Sequence, residues 1–373
     1  MRPSNLPIEE GQRLLRLCNA CRYCEGFCAV FPAMERRSVF TAADVNYLAN
    51  LCHNCGECYY ACPYTPPHEY ALNLPKVLAE IRMETYARSA VPRSFSLAGR
   101  NSARAVSALV VVAIGLIVCI VAAFGGFASR GADFYAVIPH EVMAITLGLA
   151  FVLAVILMMV AFSRFWRDGI GVPIEAGPLI TALGDTLRLT NLDGHGAGCP
   201  YPQARLSQMR RWFHHATFYG FLLCFASTCV AASYHFWLGW RAPYPYLSAP
   251  VVLGTLGGVG LLAGPAGLLW LRRKRDPALD DLNPRDFGES FIVLLLLASF
   301  TGLLLLALRE TGAMSWLLTV HLGVVLALFA SLPYGKFMHG KFRFAALVRN
   351  SFEQSRRGRQ LPVERHGTTV IRS

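Results

Sequence analysis

The chain has 373 residues, of which 54% are hydrophobic and 16% are charged, and its mean hydropathy is +0.40. This composition excludes an ordinary soluble enzyme, because most of the apolar residues must face lipid. The formal net charge of +12 does not indicate nucleic acid binding, since Lys and Arg flank apolar runs instead of forming one aromatic-laced patch.

Two runs of the form Cys-x-x-Cys-x-x-Cys-x-x-x-Cys lie near the N-terminus. Their members are Cys18, Cys21, Cys24 and Cys28, then Cys52, Cys55, Cys58 and Cys62. The spacing is the ligand pattern of proteins that hold two [4Fe–4S] clusters, in which the fourth cysteine of each run binds the cluster of the other run. We therefore predict one cluster on Cys18, Cys21, Cys24 and Cys62, and the other on Cys52, Cys55, Cys58 and Cys28.

Structural zinc is the competing interpretation of these cysteines. Zinc sites use two Cys pairs separated by a longer loop. Zinc binding therefore explains poorly why the short gap between cysteines is repeated within each run. The gaps are also too short for a disulfide framework, so we expect a reducing compartment. We further expect the core of this domain to consist largely of the two clusters, because it has few large apolar residues to bury.

The chain divides into four predicted regions. Residues 1–90 form a cytoplasmic, α-helical ferredoxin-like domain, 91–105 a basic linker, 106–340 a six-span membrane domain with a cytoplasmic loop at 164–211, and 341–373 a basic cytoplasmic tail. A membrane span needs about 20 residues. The predicted spans are Val106 to Phe127, Val142 to Phe162, Trp212 to Trp237, Val251 to Leu271, Phe291 to Leu308 and Trp316 to Leu332.

Positive residues in the connections indicate the orientation. Those after the first, third and fifth spans carry only Arg130, Arg241 and Arg309, whereas the opposite side carries clusters such as Arg272 to Arg275. By the positive-inside rule, both termini are predicted on the cytoplasmic side of the cytoplasmic membrane. No secretory signal is expected, since the first residues contain no apolar stretch.

Histidines in and beside the spans are candidate haem ligands, because ionisable residues within a membrane are costly and histidine is a common axial ligand. His321 and His339 are 18 residues apart, which on one helix is the same face and roughly 27 Å. His214 and His235 in the third span are 21 residues apart, within about 60° of a common face. Whether His140 is a haem ligand or a polar residue at the membrane interface stays open.

The third and sixth spans are antiparallel, which predicts two histidine pairs. His214 would meet His339 on the cytoplasmic side and His235 would meet His321 on the outer side, although sequence alone leaves the choice between His214 and His215 open. Glycines in the fourth span predict close helix packing. The sequence shows no catalytic triad, P-loop or dinucleotide fingerprint, so whether the chain is an enzyme stays open and no substrate-transforming site is visible.

The chain resembles the citrate/tricarballylate utilisation protein B family over nearly its whole length. The resemblance lies in the paired cysteine runs, the segment Phe134 to His140, the segment Arg211 to Phe221, the glycine-rich fourth span and the segments Val320 to Gly323 and Leu332 to His339. The last segment is also similar to the haem-b subunit of respiratory nitrate reductases, which binds haem through two histidines. The third span has a longer histidine spacing than that subunit, so the number of haems, one or two, stays open.

The family resemblance implies a partner, an FAD-dependent dehydrogenase of the tricarballylate dehydrogenase type. This chain would reoxidise its reduced flavin and pass electrons through the two clusters and haem b to membrane quinone. The eight motif cysteines match the cluster ligands of the family. Two alternatives stay open: an anchor that oxidises quinol and feeds a cytoplasmic reductase, and a membrane redox sensor that needs no haem.

Overall fold

The computed structural model describes residues 6–96, 102–128, 133–192, 199–200, 206–279 and 286–360. Within these ranges the chain is almost entirely helical, as predicted, with one antiparallel pair of two-residue strands, β1 (Cys199–Pro200) and β2 (Leu206–Ser207). The helices are α1 (Leu6–Cys21), α2 (Val30–Glu35), α3 (Ala42–Leu51), α4 (Glu57–Tyr60), α5 (Leu74–Ser89), α6 (Ser102–Ala123), α7 (Phe134–Val137), α8 (His140–Phe165), α9 (Ala176–Arg188), α10 (Met209–Leu238), α11 (Ala249–Arg273), α12 (Asp286–Leu308), α13 (Met314–Ser331) and α14 (Met338–Gln360).

Helices α1 to α5 bury many apolar side chains, and this core continues into the residues of α14 and the membrane helices. The side chains of Leu14, Leu15, Tyr47, Leu48 and Ile81 are fully buried there. The expectation that the clusters would form most of this core was wrong, because α1, α3 and α5 each direct apolar residues inward. Burying each such side chain stabilises the fold by about 1.5–3 kcal/mol, so the cysteine loops rest on a packed scaffold.

Six helices are long and apolar enough to cross a membrane, which confirms the six predicted spans among the described residues. They are Ser102–Ala123, His140–Ile170, Met209–Leu238, Ala249–Arg273, Gly288–Leu308 and Met314–Ser331. The protein therefore has the architecture of a multi-pass membrane protein.

The sixth span and the segment that follows it are separate helices. Helix α13 ends at Ser331 and α14 begins at Met338. The prediction that His321 and His339 share one helix was therefore wrong. Pro333 accounts for the break, since proline lacks a backbone N–H and its ring clashes with the carbonyl four residues earlier.

Helix α14 packs against the cysteine domain. Arg349 contacts Asp44 at 2.8 Å, and Glu353 contacts Arg36 at 3.1 Å. Arg349 also lies over the ring of buried Tyr47, 4.4 Å from its centroid. The part of the predicted basic tail up to Gln360 is thus a docked helix, which holds the cysteine domain beside the membrane helices.

Glycines bring α10 and α11 together so closely that backbones touch. A Cβ atom on Gly264 would lie 2.6 Å from the backbone nitrogen of Thr217, and one on Gly257 would lie 2.8 Å from that of Cys224. This contact agrees with the predicted small-residue packing. It fixes the position of α10, which carries His214.

We expect Gly264→Ala to destabilise the protein by about 1–3 kcal/mol, because the new methyl group meets backbone atoms that cannot move aside. Thermal unfolding in detergent checks this. Gly148→Ala is the matched control, since a Cβ atom there meets nothing within 4 Å. Equal unfolding temperatures for the two variants would contradict the packing argument.

Candidate functional site

The first cysteine group combines residues from both runs. The pKa of the Cys18 thiol is raised to about 12 by burial and then by the charges of Cys24, Cys62 and Cys21. Cys62 belongs to the second run, yet it lies with three cysteines of the first. These thiols line a partly open cavity of about 460 Å³ that also contacts Cys58, Tyr64 and Leu72, among others.

The second cysteine group has the reciprocal composition. Burial raises the pKa of Cys28 well above its ordinary value, followed by the charges of Cys55 and Cys52. Burial and the charges of Cys55, Cys28 and Cys52 do the same for Cys58. Cys28 of the first run thus lies with three cysteines of the second, in the grouping that the crossed ligand pattern predicts.

The two groups fit iron–sulfur clusters better than single metal ions. Among the described residues, no three His, Cys, Asp or Glu side chains converge closely enough to hold one ion. Backbone N–H groups also approach two of the sulfurs: Asn54 donates to Cys52 Sγ at 3.3 Å and Tyr64 donates to Cys62 Sγ at 3.4 Å. Such hydrogen bonds to the sulfurs help to set the reduction potential of a cluster.

A large chamber lies between the cysteine domain and the membrane helices. Its volume is about 1880 Å³, including the part open to solvent. Both His214 and His339 line it, with ring centroids 6.1 Å apart and ring planes at 69°. A metal bonded to two imidazole nitrogens at about 2 Å each would separate the centroids by roughly 6 Å. The predicted cytoplasmic pair therefore has a spacing that suits one iron between the rings.

The surroundings of the two histidines also fit haem. His339 Nδ1 lies 2.5 Å from the Lys336 carbonyl, which leaves Nε2 free for a metal. His214 Nδ1 is buried without a hydrogen-bond partner in the described part of the chain. Phe218, Phe221, Phe291, Pro265 and Leu268 give the chamber an apolar lining, and Arg210, Arg272 and Arg343 line it as well. An apolar macrocycle with carboxylate side groups matches this lining.

His215 points away from the chamber. Its Nε2 lies 3.2 Å from the Arg188 carbonyl, and its ring contacts Trp212 and Tyr219. Of the adjacent pair, His214 alone lines the chamber. The structure thus favours His214 for the position that the sequence left open.

The second predicted pair, His235 and His321, is not brought together. The ring of His235 stacks on His140 with centroids 3.5 Å apart, and His321 Nδ1 lies 3.0 Å from the Thr301 hydroxyl. No ring contact joins His235 to His321, both of which the structure describes. Packing against α11 sets the rotation of α10. The C-terminal end of α10 meets the start of α8, whereas His321 faces Thr301 of α12.

Sequence reasoning missed the arginines that join the two sites. Arg343 donates to the Cys52 carbonyl at 2.6 Å, and Arg82 donates to the same oxygen at 2.6 Å. Arg210 donates to the carbonyl of His53 at 2.7 Å and to that of Asn54 at 3.2 Å. A signal was present, because Arg210 precedes His214 by four residues and Arg343 follows His339 by four, the spacing of one helix face.

Comparisons with known proteins agree with these features. The family model described as "Citrate utilization protein B Fer4-like domain" matches residues 11–88, and the one described as "Citrate utilization protein B" matches residues 88–360. The curated citrate utilization protein B of Escherichia coli is 49% identical over 361 residues, which cover 96% of this chain and 95% of the relative. No solved structure shows a significant match. The matches span both the cysteine domain and the membrane helices, and the chain belongs to the citrate utilization protein B family.

Proposed function

We propose that this protein is a membrane electron-transfer subunit that reoxidises the reduced flavin of a partner dehydrogenase of the tricarballylate dehydrogenase type and passes the electrons to the quinone pool. Two [4Fe–4S] clusters and one haem b would supply the one-electron carriers. A single observation carries the proposal: the loop of residues 52–55 serves both sites. Cys52 and Cys55 belong to the second cysteine group, while His53, Asn54 and Cys55 line the chamber of His214 and His339.

The ligand roles follow from the two cysteine groups and the chamber. Cys18, Cys21, Cys24 and Cys62 would hold one cluster, and Cys52, Cys55, Cys58 and Cys28 the other. His214 and His339 would hold the haem. Among the residues that the structure describes, His235 stacks on His140 and His321 lies against Thr301, so the pair expected for a second haem is apart and we propose one haem.

Exposure suggests where electrons enter. Cys21 is exposed, and Tyr23 beside it on the cavity wall is 64% exposed. Cys52 of the second group is buried, and Arg82 of α5 and Arg343 of α14 donate to its carbonyl. A flavoprotein would therefore meet the first group, and the second group would deliver electrons to the chamber.

The positive-inside pattern and the contacts of α14 support the same orientation. Helix α14 follows the sixth span and packs on the cysteine domain, which precedes the first span. An even number of spans would leave both termini on one side, and the arginine-rich connections support a cytoplasmic location for that side. The Escherichia coli relative is named for citrate utilization. In our proposal the partner dehydrogenase binds the organic acid.

Mixing the purified protein with its flavoprotein partner, reduced by its organic acid substrate, tests the proposal. We expect the haem bands to become reduced on mixing and to be reoxidised when a soluble quinone analogue is added. Failure of the reduced flavoprotein to reduce the haem would contradict the proposal. Reduction of the haem by quinol alone, with the flavoprotein inert, would favour an anchor for a reductase, and a protein without haem would favour a redox sensor.

A further inference from the structure

We propose that Arg210 and Arg343 connect the second cysteine group to the chamber. They clamp the 52–54 loop against the two helices that carry the chamber histidines. Their positive charges also make the second cluster easier to reduce than the first. This inference rests on the proposed function, because it concerns the passage of electrons between the proposed sites. It gives that passage a direction, from the group that contains the exposed Cys21 to the group beside the chamber.

The clamp is built from two similar helix turns. Arg210 lies on α10 one turn before His214, and Arg343 lies on α14 one turn after His339. The two guanidinium groups donate to three consecutive backbone carbonyls, those of Cys52, His53 and Asn54. Each helix that offers a histidine to the chamber thus also holds the loop that offers thiols to the second group.

The charges of the clamp act in a partly buried setting, since Arg210 and Arg343 are both half-buried. Both guanidinium groups are protonated at neutral pH, because arginine is not deprotonated in proteins. Arg82 adds a third cation, since it is buried and donates to the carbonyls of Ala49 and Cys52. Charges in such surroundings are screened far less than exposed ones. They favour the reduced, more negative form of a neighbouring cluster.

The first cysteine group has a different electrostatic environment. The carboxylate of Glu57 lies close enough to Cys24 to act on it electrostatically, together with the thiols of Cys62 and Cys21. The cation nearest this group in sequence, Arg22, is exposed and donates to the Asn19 carbonyl. When one electron passes between the clusters, the first is oxidised and the second is reduced, each by a single charge. The arrangement of charges favours that direction.

An EPR-monitored redox titration with chemical mediators tests the proposal on the purified, full-length protein. In Arg343→Gln, the midpoint potential of the second cluster should fall by about 59 mV. For a one-electron transfer this changes the equilibrium constant between the clusters by about tenfold in favour of a reduced first cluster. The first cluster should keep its potential. Arg343→Lys, which retains a positive charge, should recover most of the shift.

Arg356→Gln is the matched control. It removes one positive charge from the same helix, but the Arg356 side chain is 59% exposed. We expect both cluster potentials to equal those of the wild type. A fall of the same size in Arg356→Gln and Arg343→Gln would show a nonspecific effect of net charge and would overturn the proposal.

An unchanged potential of the second cluster in Arg343→Gln, with both cluster signals intact, would also overturn it. If Arg343→Gln does not retain its clusters, the same titration on Arg210→Gln decides, with the same expected fall and the same contradicting result. Because chemical mediators reduce the clusters without a partner, the titration is independent of the flavoprotein experiment. Failure of either experiment therefore identifies which of the two proposals is wrong.

Discussion

Replacing Cys62 with Ser is expected to remove the cluster of the first cysteine group, although Cys62 belongs to the second run. About half of the non-haem iron should be lost, since each cluster contains four irons. The reason is the crossed grouping, in which Cys62 lies beside Cys18 and Cys24. Iron analysis gives the amount, and the EPR signal that remains identifies the surviving cluster.

The reciprocal variant makes this test decisive. Cys28→Ser should remove the second cluster and leave the first, because Cys28 lies with Cys52 and Cys55. Cys119→Ser is the control, since this exposed cysteine lies on the first membrane span. We expect its iron content to be unchanged. If Cys62→Ser instead lost the cluster of Cys52, Cys55 and Cys58, the crossed assignment would be refuted.

Replacing His339 with Ala is expected to abolish the haem of the chamber. His339 faces His214 across 6.1 Å, and its Nδ1 is oriented by the Lys336 carbonyl. Loss of one axial ligand leaves a single histidine in an open cavity of about 1880 Å³. A pyridine haemochrome assay on the purified variant measures the loss.

His215→Ala provides the control for the histidine variant. This residue is adjacent to His214 on α10, but its ring bonds to the Arg188 carbonyl outside the chamber. We expect this variant to keep a full haem complement. A full complement in His339→Ala, or an equal loss in His215→Ala, would show that the chamber histidines are not the ligands.

The features that could be predicted from the sequence are those encoded over short distances along the chain. Cysteine spacing predicted the iron–sulfur domain, and continuous apolar stretches predicted the six spans. Each of these signals lies within a short segment of the chain. The proximity of His214 and His339, whose ring centroids are 6.1 Å apart, could also be expected from the sequence, even though α13 ends at Ser331. Their role as haem ligands stays a prediction. The two histidines meet because His214 lies near the start of α10 and His339 lies just after the end of α13, and these two spans are antiparallel.

The features that could not be predicted depend on how helices rotate and dock. Whether His235 faces His321 or His140 depends on the glycine contact between α10 and α11, which involves residues such as Gly257 and Gly264 far along the chain. The arginine clamp likewise joins residues that are distant in sequence. Arg343 looked like one more positive residue of a basic tail, and its role appears only when α14 packs against the cysteine domain.

The central claim is that one chain holds both iron–sulfur clusters and haem b, joined through the 52–55 loop. A pyridine haemochrome assay combined with non-haem iron analysis on the purified wild-type protein tests it most directly. We expect one haem b and about eight non-haem irons per chain, four in each cluster. A protein with its full iron content but no haem would contradict it.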